Sequence, residues 1–103
     1  MPDKITDPSR IGDIAEKYVV TWLWDNNYEV FCNAGTTGYI DLIAVDPMGK
    51  PVYIDVKSKN SDKHYGFSRS EIQKHLGVRV VEFNGKTRKC RWIDHRELHN
   101  ENS

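Results

Sequence analysis

Between residues 7 and 27, the apolar positions Ile11, Ile14, Ala15, Tyr18, Val19, Trp22 and Leu23 recur every three or four residues, which is the repeat of one helix face. Asp7 is a candidate cap and Pro8 suits a first turn, so the stretch predicts an opening helix. Glu16 falls at the border of the stripe. At about 100° per residue its carboxylate lies beside the packed face rather than opposite it. The pattern then shortens. "YEVFCNA" (28–34) reads as a strand and "GTTG" (35–38) as a loop, followed by two strand-like runs, "GYIDLIAV" (38–45) and "VYIDVKSKN" (52–60), around a turn with Pro47 and Gly49. Ser68 and Glu71 fit a capping box for a short helix through "EIQKHL" (71–76), which Gly77 would end. "VRVVEF" (78–83) and "KCRWID" (89–94) flank Asn84-Gly85, a strong hairpin signal, and residues 98–103 read as a polar, frayed tail.

The order helix, three strands, helix, two strands predicts an α/β fold: a mixed central sheet flanked by the N-terminal helix and a shorter one. With 103 residues and no break in composition, residues 1–103 are expected to form one domain, small enough for oligomerisation to be useful. No apolar run reaches the length of a membrane span and no signal peptide is visible, so a soluble, cytoplasmic protein is expected. Cys32 and Cys90 lack metal-site spacing and are given no role.

The formal net charge is zero, but its distribution is uneven. Residues 1–56 carry 4 Lys/Arg and 9 Asp/Glu, residues 57–91 carry 10 and 3, and residues 92–103 carry 1 and 3. A neutral total thus conceals a basic segment that starts at Lys57.

The tripeptide Tyr-Ile-Asp occurs twice, once in each strand-like run. If residues 46–50 form the loop between the two copies, Val45 faces Pro51, and counting outward sets Asp41 opposite Asp55 with Cβ atoms about 5 Å apart. Lys57 lies two residues beyond Asp55 and shares its face. Apolar residues of both parities in these strands suggest a largely buried sheet, where paired carboxylates need a reason. Like charges so close repel unless a cation lies between them. A hard divalent ion such as Mg²⁺ meets that need, with the Val56 carbonyl as a further oxygen donor.

Asp41, 13 intervening residues and then Asp55-Val56-Lys57 resemble the signature of the PD-(D/E)XK nuclease superfamily. "DVKSK", the single leading helix and the small size are most similar to its Holliday-junction-resolvase branch. The resemblance covers residues 11–83; Ile40 replaces a frequent proline and Asp55 a commoner glutamate. It implies a restriction-endonuclease-like core and Mg²⁺-dependent hydrolysis of DNA, with Mn²⁺ able to substitute. Asp41, Asp55 and the Val56 carbonyl would hold the ion, Glu16 would assist through water, and Lys57 would serve the attacking water or the phosphorane. Gln73 resembles an accessory glutamine of some members. Lys59, Lys63, Arg69 and Lys74 would neutralise DNA phosphates.

Branched DNA is the first expected substrate; sequence-specific duplex cleavage, as in homing, restriction or repair enzymes, is the alternative, and a non-catalytic nucleic-acid-binding module the second. Paired cuts on two strands imply a homodimer or higher homo-oligomer. Plainer readings stand beside these. Exposed cross-strand ion pairs are common and weak. His64, His75, His95 and His99 read as solvated, and Trp22, Trp24 and Trp92 as core or interface anchors.

Overall fold

The computed structural model describes residues 8–35, 38–60 and 68–94. Helix α1 (Pro8–Asp25) leads into strands β1 (Glu29–Cys32), β2 (Leu42–Val45) and β3 (Pro51–Lys59), then helix α2 (Glu71–Leu76), and strands β4 (Arg79–Asn84) and β5 (Lys89–Trp92). The five strands form one sheet in the order β1-β2-β3-β4-β5. All neighbours are antiparallel except β3 and β4, which run parallel across the connection that contains α2. The expected α/β architecture with a mixed sheet is the one observed.

The predicted stripe makes the core. Ala15, Val19 and Leu23 of α1 are buried against Leu42 and Ala44 of β2, Ile54 of β3, and Val81 and Phe83 of β4. Each fully buried Val, Leu, Ile or Phe contributes roughly 1.5–3 kcal/mol, so this one interface supplies most of the drive for helix α1 to dock. Tyr18 stacks on Phe83 with ring centroids 4.7 Å apart although it is half open to solvent. Asn27, at φ 65°, takes the left-handed position that ends α1, and the Tyr28 N–H closes the cap on the Leu23 carbonyl. Trp22 and Trp92 pack beside the core with centroids 5.6 Å apart, while Trp24 is 59% exposed.

Two local expectations need correction. The capping box of α2 is Ser70 with Gln73, not Ser68 with Glu71: Ser70 Oγ accepts from the Gln73 N–H, and Gln73 Oε1 accepts from the Ser70 N–H. Both spacings satisfy the motif, but Arg69 is buried with its Nη1 donating to the Val78 carbonyl (3.0 Å), and the chain turns helical only beyond it. The last hairpin, likewise, turns through four residues, 85–88, with Arg88 at φ 64°. Asn84 sits at the end of β4, where its Oδ1 accepts from the Lys86 and Thr87 N–H groups. Gly85 leaves room there for the Asn60 side chain, whose Oδ1 would have to move aside for a Cβ. Asp7 and the tail from residue 95 lie outside the described residues.

Candidate active site

The loop 46–50 sets the register as counted from sequence: Val45 pairs with Pro51 and Leu42 with Ile54. Asp46 Oδ1 accepts from the Met48 and Lys50 N–H groups, and Gly49, at φ 89°, completes the turn. A strict continuation would put Asp41 opposite Asp55. Instead the Asp41 N–H reaches the Ile54 carbonyl (2.8 Å), while on its other side the Asp41 carbonyl still accepts from the Asn33 N–H (2.9 Å). The chain therefore bends at Asp41, and its carboxylate turns onto the backbone of β3, where Oδ2 accepts from the Val56 N–H at 2.7 Å. Local departures from ladder pairing re-aim a side chain in this way.

Two clamps hold that bend. Asn33 Nδ2 donates to the Ile40 carbonyl (2.9 Å) and Gln73 Nε2 donates to the Tyr39 carbonyl (3.0 Å). Both carbonyls immediately before Asp41 are thus held, one from the end of β1 and one from α2. Gln73 spends its other amide atom on the helix cap, so its role here is to tie α2 to the Asp41 segment.

Asp41 and Asp55 are near enough for each carboxyl to bear on the other's charge. The Asp41 carboxyl is raised from 3.8 to about 6, chiefly by burial; the Val56 N–H opposes the rise, and the neighbouring Asp55 and then the Glu16 charge add to it. Asp55 is only 7% exposed, and its Oδ2 lacks a hydrogen-bond partner although Lys57 Nζ lies 3.3 Å away. Lys57 keeps its side chain 44% exposed, so the amine is reachable from solvent. Glu16, half-buried on α1, is itself raised by burial and by Asp13.

The patch has features a hard cation would satisfy: hard oxygen donors on two neighbouring carboxyls, one of them raised above its ordinary value by burial. Among the described residues no three His, Cys, Asp or Glu side chains converge tightly enough to hold an ion by themselves. The described side chains that could share an ion here are thus the Asp41 and Asp55 carboxylates, short of the ligand count that an ion held by side chains alone would need.

The residues expected at phosphates divide. Lys74 is exposed on α2, where it pairs with Glu71 at 3.5 Å. Lys63 lies outside the described residues, as do His64, His95 and His99. Lys59 and Arg69 turn inward, and this corrects the expectation for both. Lys59 Nζ sits 3.1 Å from Glu82 Oε1, and both side chains are at most 5% exposed. Glu82 and Arg91 were not foreseen: Arg91 Nε and Nη2 bind Glu82 Oε1 and Oε2 at 3.1 and 3.2 Å. The one signal in the sequence is a glutamate inside the apolar run "VRVVEF", but nothing local says which strand it faces.

With this arrangement in view, the fold matches that of a solved bacterial homing endonuclease, I-Ssp6803I, with a TM-score of 0.66 over 86% of this chain and 17% sequence identity. The two proteins share a fold. The chain spans 66% of that protein's length. No protein-family model matches the sequence, and neither does any characterised protein at the level of sequence. No helix among the described residues is long and apolar enough to cross a membrane.

Proposed function

We propose that the protein is a divalent-cation-dependent DNA endonuclease that cuts duplex DNA. The observation that carries this reading is the Asp41–Asp55–Lys57 patch on a fold shared with a homing endonuclease. Branched DNA is the first expectation from sequence, but the structural likeness supports a duplex cutter better, and the resolvase branch has no support from it.

In this reading Asp41, Asp55 and the Val56 carbonyl would hold Mg²⁺ or Mn²⁺, and Glu16 would reach it through water. A bound ion of this type polarises a phosphodiester and acidifies a water ligand. The chain's own residues do the rest. The two carboxylates fix the oxygen geometry, the Asn33 and Gln73 clamps keep Asp41 from relaxing, and Lys57 orients the attacking water or neutralises charge growing on the phosphorane. Lys74, with Lys63, would meet phosphates flanking the cut, giving affinity that falls steeply with salt. Cuts on both strands call for two copies of the site, hence a homodimer or larger homo-oligomer.

The test is incubation with Mg²⁺ and a panel of long linear duplex, flap and four-way-junction DNAs, with cut sites mapped. Cleavage of duplex at discrete positions supports the proposal, and cutting confined to junctions returns the substrate to branched DNA. Lys57→Ala should abolish cutting while binding in Ca²⁺ persists. A wild-type protein that binds DNA yet cuts nothing with Mg²⁺ or Mn²⁺ is a binding module, and the proposal fails.

A further inference from the structure

On the sheet face that carries Asp55, three side chains lie in a row across neighbouring strands: Lys57 on β3 pairs in register with Glu82 on β4, and Glu82 pairs with Arg91 on β5. Lys59 stands one step further along β3 on the same face. Lys57 therefore has two carboxylates to choose from. Adjacent strands are about 4.8 Å apart, whereas residues two apart on one strand are about 6.6 Å apart, so Glu82 is the nearer neighbour by backbone position. The ammonium nevertheless sits on Asp55.

The reason lies in what surrounds Glu82. Its Oε1 receives Lys59 Nζ and Arg91 Nε, each at 3.1 Å, and its Oε2 receives Arg91 Nη2 at 3.2 Å. Glu82 is 2% exposed and its carboxyl is held below its ordinary value; burial opposes this, and the Arg91 and Lys59 partners outweigh it. Two cations on one carboxylate leave the unit with a net positive charge, which repels a third ammonium. A buried ionic cluster is often no more stabilising than well-packed apolar residues of the same volume, so stability alone does not account for it.

We infer that Lys59, Glu82 and Arg91 form a positioning unit that saturates Glu82 and thereby keeps the Lys57 ammonium on Asp55, at the catalytic patch. The inference rests on the nuclease reading for its rate measurement and on geometry alone for its crystallographic one.

The test uses Lys59→Met and the double variant Lys59→Met with Glu82→Gln. In Lys59→Met, Oε1 of Glu82 loses a cation, and Lys57 should turn from Asp55 to Glu82 in a crystal structure. The kcat for DNA cleavage should drop about 100-fold, the scale of misplacing a reacting group, with KM near the wild-type value. In the double variant no carboxylate remains to draw Lys57 away, and kcat should largely return. A purely structural cluster predicts the opposite, a double variant as poor as the single one or worse. That outcome, or a Lys57 that stays on Asp55 in Lys59→Met, overturns the inference. If Lys59→Met does not fold, Arg91→Met, at a side chain already 44% exposed, opens Oε2 for the same comparison with Glu82→Gln. If the wild type cuts no DNA, the nuclease reading falls, while the crystallographic position of Lys57 still decides this one.

Discussion

Replacing Asp41 by asparagine tests the charge conflict at the heart of the site. The amide side chain would keep an oxygen for the Val56 N–H but remove the negative charge that faces Asp55. The Asp41 carboxyl moves from 3.8 to about 6 on folding, which at 1.36 kcal/mol per tenfold is about 3 kcal/mol for a fully buried group. Because the carboxyl is only half-buried, solvent screening reduces this to about 1–2 kcal/mol. The sign follows from proton counts. Between pH 3.8 and about 6 the folded chain holds a proton on Asp41 that the unfolded chain has lost, so stability falls as pH rises through this window and stays low above it. Glu82 acts in the opposite sense, but its loss is confined below 4.5. Urea denaturation in EDTA from about pH 4.5 to 8 should therefore show the wild type losing about 1–2 kcal/mol towards neutral pH, and Asp41→Asn losing much less. At about pH 7.5 the variant should be the more stable protein, and adding Mg²⁺ should stabilise only the wild type. Parallel pH profiles for the two proteins would refute this account.

Leu42→Ala, at a fully buried position beneath α1, should lower stability by about 2–5 kcal/mol in the same denaturation assay; a loss under about 1 kcal/mol would mean that the helix does not dock as described. Ser70→Ala removes one side of the α2 cap and should destabilise by about 1 kcal/mol, and by loosening Gln73 on the Tyr39 carbonyl it should also weaken Mg²⁺ binding measured by titration calorimetry. Burial raises the Cys90 thiol to about 11, whereas Cys32 is exposed. Iodoacetamide at about pH 8 should thus label Cys32 first by mass spectrometry, and equal rates would contradict the packing of β5.

Much of the fold was legible because its causes are local. Helical spacing placed α1 and named the residues that it buries, and a five-residue loop set the β2–β3 register as far as Leu42 and Ile54, so the approach of Asp41 to the Asp55 segment could be counted from letters, although Asp41 itself leaves the ladder. What misled was also local: two overlapping capping motifs, Ser68–Glu71 and Ser70–Gln73, look alike until Arg69 is seen to be buried.

By itself, the sequence determined the element order, the apolar stripe of α1 and the pairing of the two Tyr-Ile-Asp strands, since each depends on side-chain periodicity or on a short loop. Only the tertiary structure decided the bend at Asp41, the two carbonyl clamps, and the pairing of Lys59 and Arg91 with Glu82. The physical reason is the parallel crossover from β3 to β4. A tight turn dictates which residues face each other, but a long connection does not, so the partner of a buried glutamate is settled only when the strands pack.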